Sequence, residues 1–212
     1  MIQIERFTFN TFAVNTYVLY DETGEAVIVD AACYEPFENQ GLSDFIQDAG
    51  LKIVRNINTH CHIDHILGNQ YVFGKYGIRP EYHREGHPFF VQAKDIALNF
   101  GFTLDEIPEP AAYIADGDEI RFGKSSLKVL YTPGHADGSV CFYSSADGFV
   151  ITGDVLFRDT VGRTDLPSGD FDKLMNSIKT RLFTLPEDTV VYPGHGPETT
   201  IGYEMVNNPF IK

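Results

Sequence analysis

Cysteine is scarce in this chain, and basic residues are outnumbered. The 212 residues hold only three cysteines, Cys33, Cys61 and Cys141, an odd number at no framework spacing. That argues against a disulfide scaffold and for a reducing compartment. No apolar run approaches the roughly 20 residues needed to cross a bilayer. The start, Met1-Ile2-Gln3-Ile4-Glu5-Arg6, has no basic leader followed by an apolar stretch. The expectation is a cytoplasmic protein with no membrane partner. Lys and Arg number 16 against 30 Asp and Glu, a formal net charge of −14. A protein that grips a phosphate backbone needs the opposite balance, because counterion release supplies much of the affinity, so nucleic acid is not an expected partner. Neither a dinucleotide glycine fingerprint nor a serine elbow occurs. Gly123-Lys124-Ser125 resembles the end of a phosphate-binding loop, but Asp118 stands where that motif has glycine. A hairpin turn is the better assignment there.

Histidine, by contrast, is concentrated. Three of the seven fall in Thr59-His60-Cys61-His62-Ile63-Asp64-His65, with a carboxylate among them. Imidazole and carboxylate at this density are the ligand set of zinc and similar metals. In an extended chain, alternate side chains share a side, so His60, His62 and Asp64 face one cavity while His65 starts on the other. On the same alternation Cys61 points away and reads as a small packed thiol. His83 and His87 stand four apart beside Gly86 and Pro88, and are expected to be ordinary exposed histidines.

The hydrophobic pattern places these residues. Residues 2–9 and 12–20 alternate as a hairpin, 26–29 is a short buried strand ending at Asp30, and 35–49 is an amphipathic helix closed by Gly50. The strand at 52–58 runs into the histidine cluster. From 66 to 115 the pattern is mainly helical, with a short strand around 78–82. Strands follow at 119–122, 126–131, 139–145 and 149–153, then a helix at 171–183, a strand at 189–192 and a short helix after Pro197. A faint repeat emerges: a strand ending in Asp30 is followed by one running into His60, and a strand ending in Asp154 by one running into His195. Both halves are expected to belong to one domain spanning 1–212. His135 and His195 each follow a Pro-Gly pair, whose tight turn holds a side chain at a fixed point on a strand end.

The set His60-x-His62-x-Asp64-His65, then His135, Asp154 and His195, resembles the metal signature of the metallo-β-lactamase superfamily. Asp30 falls at that superfamily's first motif aspartate. The resemblance implies an α/β, four-layer αβ/βα sandwich, two facing mixed β-sheets flanked by helices, with metals at one sheet edge. It implies two divalent metal ions, zinc first, with iron or manganese as alternatives. His60, His62 and His135 would hold one ion and Asp64, His65 and His195 the other, with Asp154 bridging. Such a pair lowers the pKa of a shared water towards neutrality, which makes the hydroxide the expected nucleophile. Asp64 would orient that water and accept its proton, and Asp30 would orient a ligand histidine from behind.

Thr152-Gly153-Asp154-Val155-Leu156-Phe157, Gly162-Arg163-Thr164-Asp165 and Asn208-Pro209-Phe210 are similar to short bacterial glyoxalase II-like proteins. The expected activity is therefore cleavage of S-lactoylglutathione or a related small acyl thioester. The helical C-terminal domain that binds glutathione in full-length glyoxalase II has no counterpart before Lys212. Arg163 either receives a substrate carboxylate in a two-pronged way or pins its own loop by pairing with Asp159 or Asp165. The alternatives are a mononuclear iron persulfide dioxygenase using His60, His135 and Asp154, a phosphodiesterase, and a non-enzymatic binding module.

Overall fold

The first half of the chain builds one sheet and the second half another. The structure, a computed structural model, describes residues 1–211. The hairpin expected at 2–20 is β1 (Gln3–Phe9) and β2 (Val14–Tyr20), paired antiparallel from Gln3–Tyr20 to Phe9–Val14. β3 (Glu25–Val29) follows, then helix α1 (Pro36–Asp48), β4 (Lys52–Ile57), α2 (Ile63–Ile66), α3 (Asn69–Tyr76), β5 (Pro80–His83), α4 (His87–Val91), α5 (Ala93–Asn99) and β6 (Ala112–Ile114). Strand order in this sheet is β1-β2-β3-β4-β5-β6. The second half runs β7 (Glu119–Phe122), β8 (Ser125–Tyr131), β9 (Val140–Ser144), β10 (Phe149–Gly153), β11 (Leu156–Phe157), β12 (Thr160–Val161), α6 (Phe171–Ser177), β13 (Val190–Pro193), β14 (Thr199–Thr200) and α7 (Ile201–Asn207). Its sheet has the order β14-β13-β10-β9-β8-β7, with β11 and β12 forming a separate small hairpin.

Strand alternation sorts the side chains into layers. Val27 and Val29 of β3 point inward to meet Phe149 and Ile151 of β10 in the core between the sheets. Ala26 and Ile28 point outward onto Leu42 and Ile46 of α1 and Val72 of α3. On the other face, Cys141 and Val150 pack on Leu174 of α6, Ile178 and Leu182. The result is the four-layer αβ/βα sandwich with two facing mixed sheets that the resemblance implied. No helix among the described residues is long and apolar enough to cross a membrane.

The internal repeat has a structural counterpart. β3, which leads to Asp30, lies parallel beside β4, which leads to His60. β10, which leads to Asp154, lies parallel beside β13, which leads to His195. Two parallel pairs thus deliver an aspartate and a histidine each at their C-terminal ends, the usual place for a site in α/β proteins. The sheets are sewn together at this end. Asn15 donates from its backbone to Gly194 O at 2.7 Å, and Tyr17 donates to Pro193 O at 2.7 Å.

Some elements differ from expectation. The stretch 100–111 carries no helix or strand, and β6 pairs parallel with β5 although three residues are too few to show a period. The helix expected at 171–183 is α-helical only to Ser177 and continues as a π turn over Ile178–Leu182.

Gly123-Lys124-Ser125 is the β7–β8 turn; Gly123 N donates to Glu25 Oε2 at 3.0 Å, and the Lys124 and Ser125 donors are taken by Asp21, just after β2. That buried carboxylate accepts Lys124 N (2.7 Å), Ser125 Oγ (2.8 Å), Thr23 N (2.9 Å) and Thr23 Oγ1 (2.6 Å). Burial pushes the Asp21 carboxyl up, but these hydrogen bonds outweigh it and hold the group below the usual carboxylate range. A lowered folded value means that its stabilisation is present above the unfolded pKa of about 3.9 and is lost as pH falls through the folded one. Asp21→Asn, which cannot accept all four donors, should cost about 1–3 kcal/mol at pH 7. Urea unfolding should show that gap shrinking as the pH is taken well below 4.

Candidate metal centre

The histidine cluster begins where β4 ends. His60 and His62 follow, with His62 (φ −65°, ψ 148°) in extended backbone as the N-cap of α2. From Ile63 the chain is helical, and this corrects the expected alternation. One helical turn swings His65 onto the same side as His60, with their ring centroids 4.2 Å apart. His60, His62 and Asp64 therefore face one site as expected, and only His65 departs, joining them instead of starting on the other side. Cys61 is buried beside Ile63, Ile66 and Tyr82, and burial pushes its thiol well up, so it is a packed thiol.

All seven candidate ligands converge. His60, His62 and His135 form one group, Asp64, His65 and His195 a second, and His60, His65 and Asp154 a third, each able to hold a metal ion. Asp154 Oδ1 lies 3.3 Å from His65 Nε2, and Asp154 Oδ2 lies 3.6 Å from both His135 Nε2 and His195 Nε2. The carboxylate thus stands between the groups. Asp64 Oδ2 lies 3.4 Å from His195 Nε2 and 3.7 Å from His65 Nε2.

Hydrogen bonds behind the ring nitrogens fix which atom each histidine offers. His135 Nδ1 donates to Arg163 O (2.7 Å) and His195 Nδ1 to Phe12 O (3.0 Å). His65 Nδ1 donates to Asp30 Oδ2 at 3.0 Å. Thr59 donates from Oγ1 to the same Asp30 oxygen (2.6 Å) and from N to Oδ1 (2.7 Å), which leaves Thr59 Oγ1 to accept from His60 Nδ1 at 3.1 Å. Asp30 thereby holds His65 directly and His60 through Thr59. Each of these four rings thereby turns its Nε2 towards the other ligands.

His62 differs. Its Nδ1 faces His135 Nε2 at 2.9 Å, and since the His135 proton is on Nδ1, His62 donates from Nδ1 to that ring's lone pair. His60 Nε2, His65 Nε2 and Asp154 Oδ1 are buried without any hydrogen-bond partner. Orphaned buried polar atoms cost free energy, and a metal ion would satisfy all three. The donor set fits two borderline divalent ions.

Electrostatics agree with that fit. Burial holds His60 and His62 below their ordinary value, His62 at about 4, and lowers His135, so these rings are neutral with lone pairs free at pH 7. Burial also pushes His65 and His195 down, but the surrounding carboxylates outweigh it and raise both. Burial would raise Asp64 and Asp154, yet the positive charge favoured on His65, with His195 beside it, keeps both carboxyls low and ionised. Gly194 makes room: a Cβ there would meet Asp154 Oδ1 and, at 2.8 Å, His65 Cε1.

His83 and His87 take no part. His87 Nδ1 pairs with Tyr82 Oη at 3.0 Å, and His83 stacks on Tyr131 with centroids 4.6 Å apart. Both are half-buried rather than exposed. Arg163 lines the cavity over the centre but is bound two-pronged to Asp165 at 2.7 and 2.9 Å, so of the two pairings expected for its loop Asp165 is the partner. Sequence reasoning missed Arg158, which also lines the cavity, and Thr59, which links Asp30 to His60. Arg158 sits in the turn between the two-residue strands β11 and β12, which leave no periodic signal; Thr59, next to His60, was visible but had no known partner.

Four layers, two parallel Asp/His strand pairs and seven converging ligands define a class: metal-dependent hydrolases built on a sheet-edge metal centre. The chain matches the family model of the metallo-beta-lactamase superfamily over residues 10–195, and it belongs to that superfamily. It is 37% identical over 175 residues to the probable metallo-hydrolase YqgX of Bacillus subtilis, covering 82% of this chain and 83% of that one. It is 30% identical over 212 residues to the hydroxyacylglutathione hydrolase GloC of Haemophilus influenzae, covering 99% and 98%. Among solved structures, TTHA1623 in a di-iron-bound form is similar at 34% identity and a TM-score of 0.87, over 97% of this chain and 99% of that one. The BLEG-1 B3 metallo-beta-lactamase is similar at 32% identity and a TM-score of 0.86, over 99% and 100%.

Proposed function

We propose that this protein is a dinuclear metal-dependent thioesterase, cleaving S-lactoylglutathione-like thioesters. The observation that carries the proposal is the pair of three-ligand groups with Asp154 between them, because seven ligands are too many for one catalytic ion. His60, His62 and His135 would hold one ion, Asp64, His65 and His195 the other, with Asp154 shared. Two divalent ions there would supply Lewis acidity and bring a water towards deprotonation at neutral pH. Zinc is the first candidate, and iron and manganese suit the same donors.

Asp64 is set to orient the attacking water and take its proton. Asp30 and Thr59 keep His65 and His60 in the tautomer that leaves Nε2 bare. The thioester C–S bond breaks as water oxygen bonds to the carbonyl carbon, giving a carboxylic acid and a thiol. A thiol has a pKa of about 8.5, so the thiolate departs without a strong general acid. The likeness to GloC supports the thioester bond as the target.

The test is thiol release from S-lactoylglutathione and simple acyl thioesters by the metal-loaded enzyme. We expect kcat/KM of at least about 10⁴ M⁻¹s⁻¹ on the better substrates. Inert thioesters together with oxygen uptake on glutathione persulfide would overturn the proposal in favour of a dioxygenase.

A further inference from the structure

The metal ligands form only the floor of a cavity of about 810 Å³. Its walls are strongly apolar, drawn from Phe12, Phe89, Ile96, Phe100, Phe157 and Leu166. The wall starts at the metal centre, where Phe89 stands edge-on to His62 with centroids 5.3 Å apart. It continues outward through Phe12, whose ring meets Phe100 edge-on at 5.4 Å. α5 is laid to build this wall. Ala97 is buried in the interior, while Ala93 and Ile96 of α5 and Phe100, which caps its C-terminus, line the cavity. Phe100 is 55% exposed. A large aromatic at the mouth of a cavity, left in water, is the mark of a surface that a ligand covers.

Resting on the thioesterase proposal, we infer that the preferred substrate carries a hydrophobic acyl group, an aliphatic chain of about six carbons or an aromatic ring, seated against Phe12, Phe89, Ile96 and Phe100. The thiol carriers of biological thioesters are polar and charged, so the apolar wall falls to the acyl side. A lactoyl group has three carbons and a hydroxyl, and it leaves most of this wall wet. The cavity's cations do not alter the assignment. Arg163 is already bound to Asp165, and Arg158 lies over the Tyr203 ring at 5.4 Å with its nearest carboxylate, Asp159, at 3.9 Å. Arg158 is therefore the freer of the two to meet an anionic thiol carrier.

The test is a series of straight-chain acyl thioesters from acetyl to octanoyl, with lactoyl and phenylacetyl, all on N-acetylcysteamine and assayed with the metal-loaded enzyme. The same protein is titrated calorimetrically with the free carboxylates from acetate to octanoate. We expect kcat/KM to rise about three- to fourfold per methylene up to hexanoyl, and carboxylate affinity to rise in step. Phe100→Ala, at an exposed position that leaves the fold intact, should flatten both series and cost hexanoyl about tenfold more than acetyl. A flat or falling series in both measurements, or a preference for lactoyl, overturns the inference while leaving thioester cleavage standing. If no thioester is cleaved but carboxylate affinity climbs with chain length and Phe100→Ala abolishes the climb, the apolar site stands and the thioesterase proposal falls.

Discussion

Asp154→Ala should lower bound metal from two ions per chain to one or fewer and reduce kcat/KM by at least about a thousandfold, some 4 kcal/mol of transition-state stabilisation. Asp154 is the group that faces both ligand sets, with Oδ1 towards His65 and Oδ2 towards His135 and His195. Its removal leaves His65 and His195 without the carboxylate that balances them and leaves neither ion a shared ligand. Elemental analysis and thiol-release kinetics on the purified variant provide the check. Full activity with two ions bound would remove Asp154 from the bridging position.

Asp30→Asn should weaken metal binding about 10- to 100-fold while leaving the fold in place. Asp30 accepts three hydrogen bonds, from Thr59 N, Thr59 Oγ1 and His65 Nδ1. An amide turns one of those acceptors into a donor. If it faces His65, that ring moves its proton to Nε2 and loses the lone pair that a metal needs. Asp30 has φ 52°, and asparagine tolerates this left-handed backbone as well as aspartate does, so the substitution isolates the proton arrangement from backbone strain. Competition with a chromophoric chelator reads the affinity, and thermal unfolding of the chelator-treated protein reads the fold. Unchanged metal affinity would show that Asp30 does not set the His65 tautomer.

Much of this site was legible in the chain because ligands at strand ends carry two signals at once. His60 and His195 follow β-branched runs, His135 and His195 follow Pro-Gly turns, and Asp30 and Asp154 close buried strands. The layers were implied by the family resemblance, since Ala26-Val27-Ile28-Val29 is apolar throughout and does not show which side each residue faces. The direction of His65 was not legible, because it depends on the backbone turning helical at Ile63, a switch that no residue type announces. The partner of Arg163 was narrowed only to two nearby aspartates. The apolar wall was invisible for a different reason. Phe12, Phe89 and Phe100 come from a hairpin link and the two ends of a helical region, and only tertiary folding brings them over the metal ligands.

Everything proposed for this site depends on the seven ligands holding two ions. Metal identity and stoichiometry by elemental analysis, on protein purified without chelators, tests it most directly. Close to two divalent ions per chain are expected, falling to one or fewer in Asp154→Ala. A single iron per chain, with no further uptake and no gain in activity on adding zinc or manganese, would contradict it.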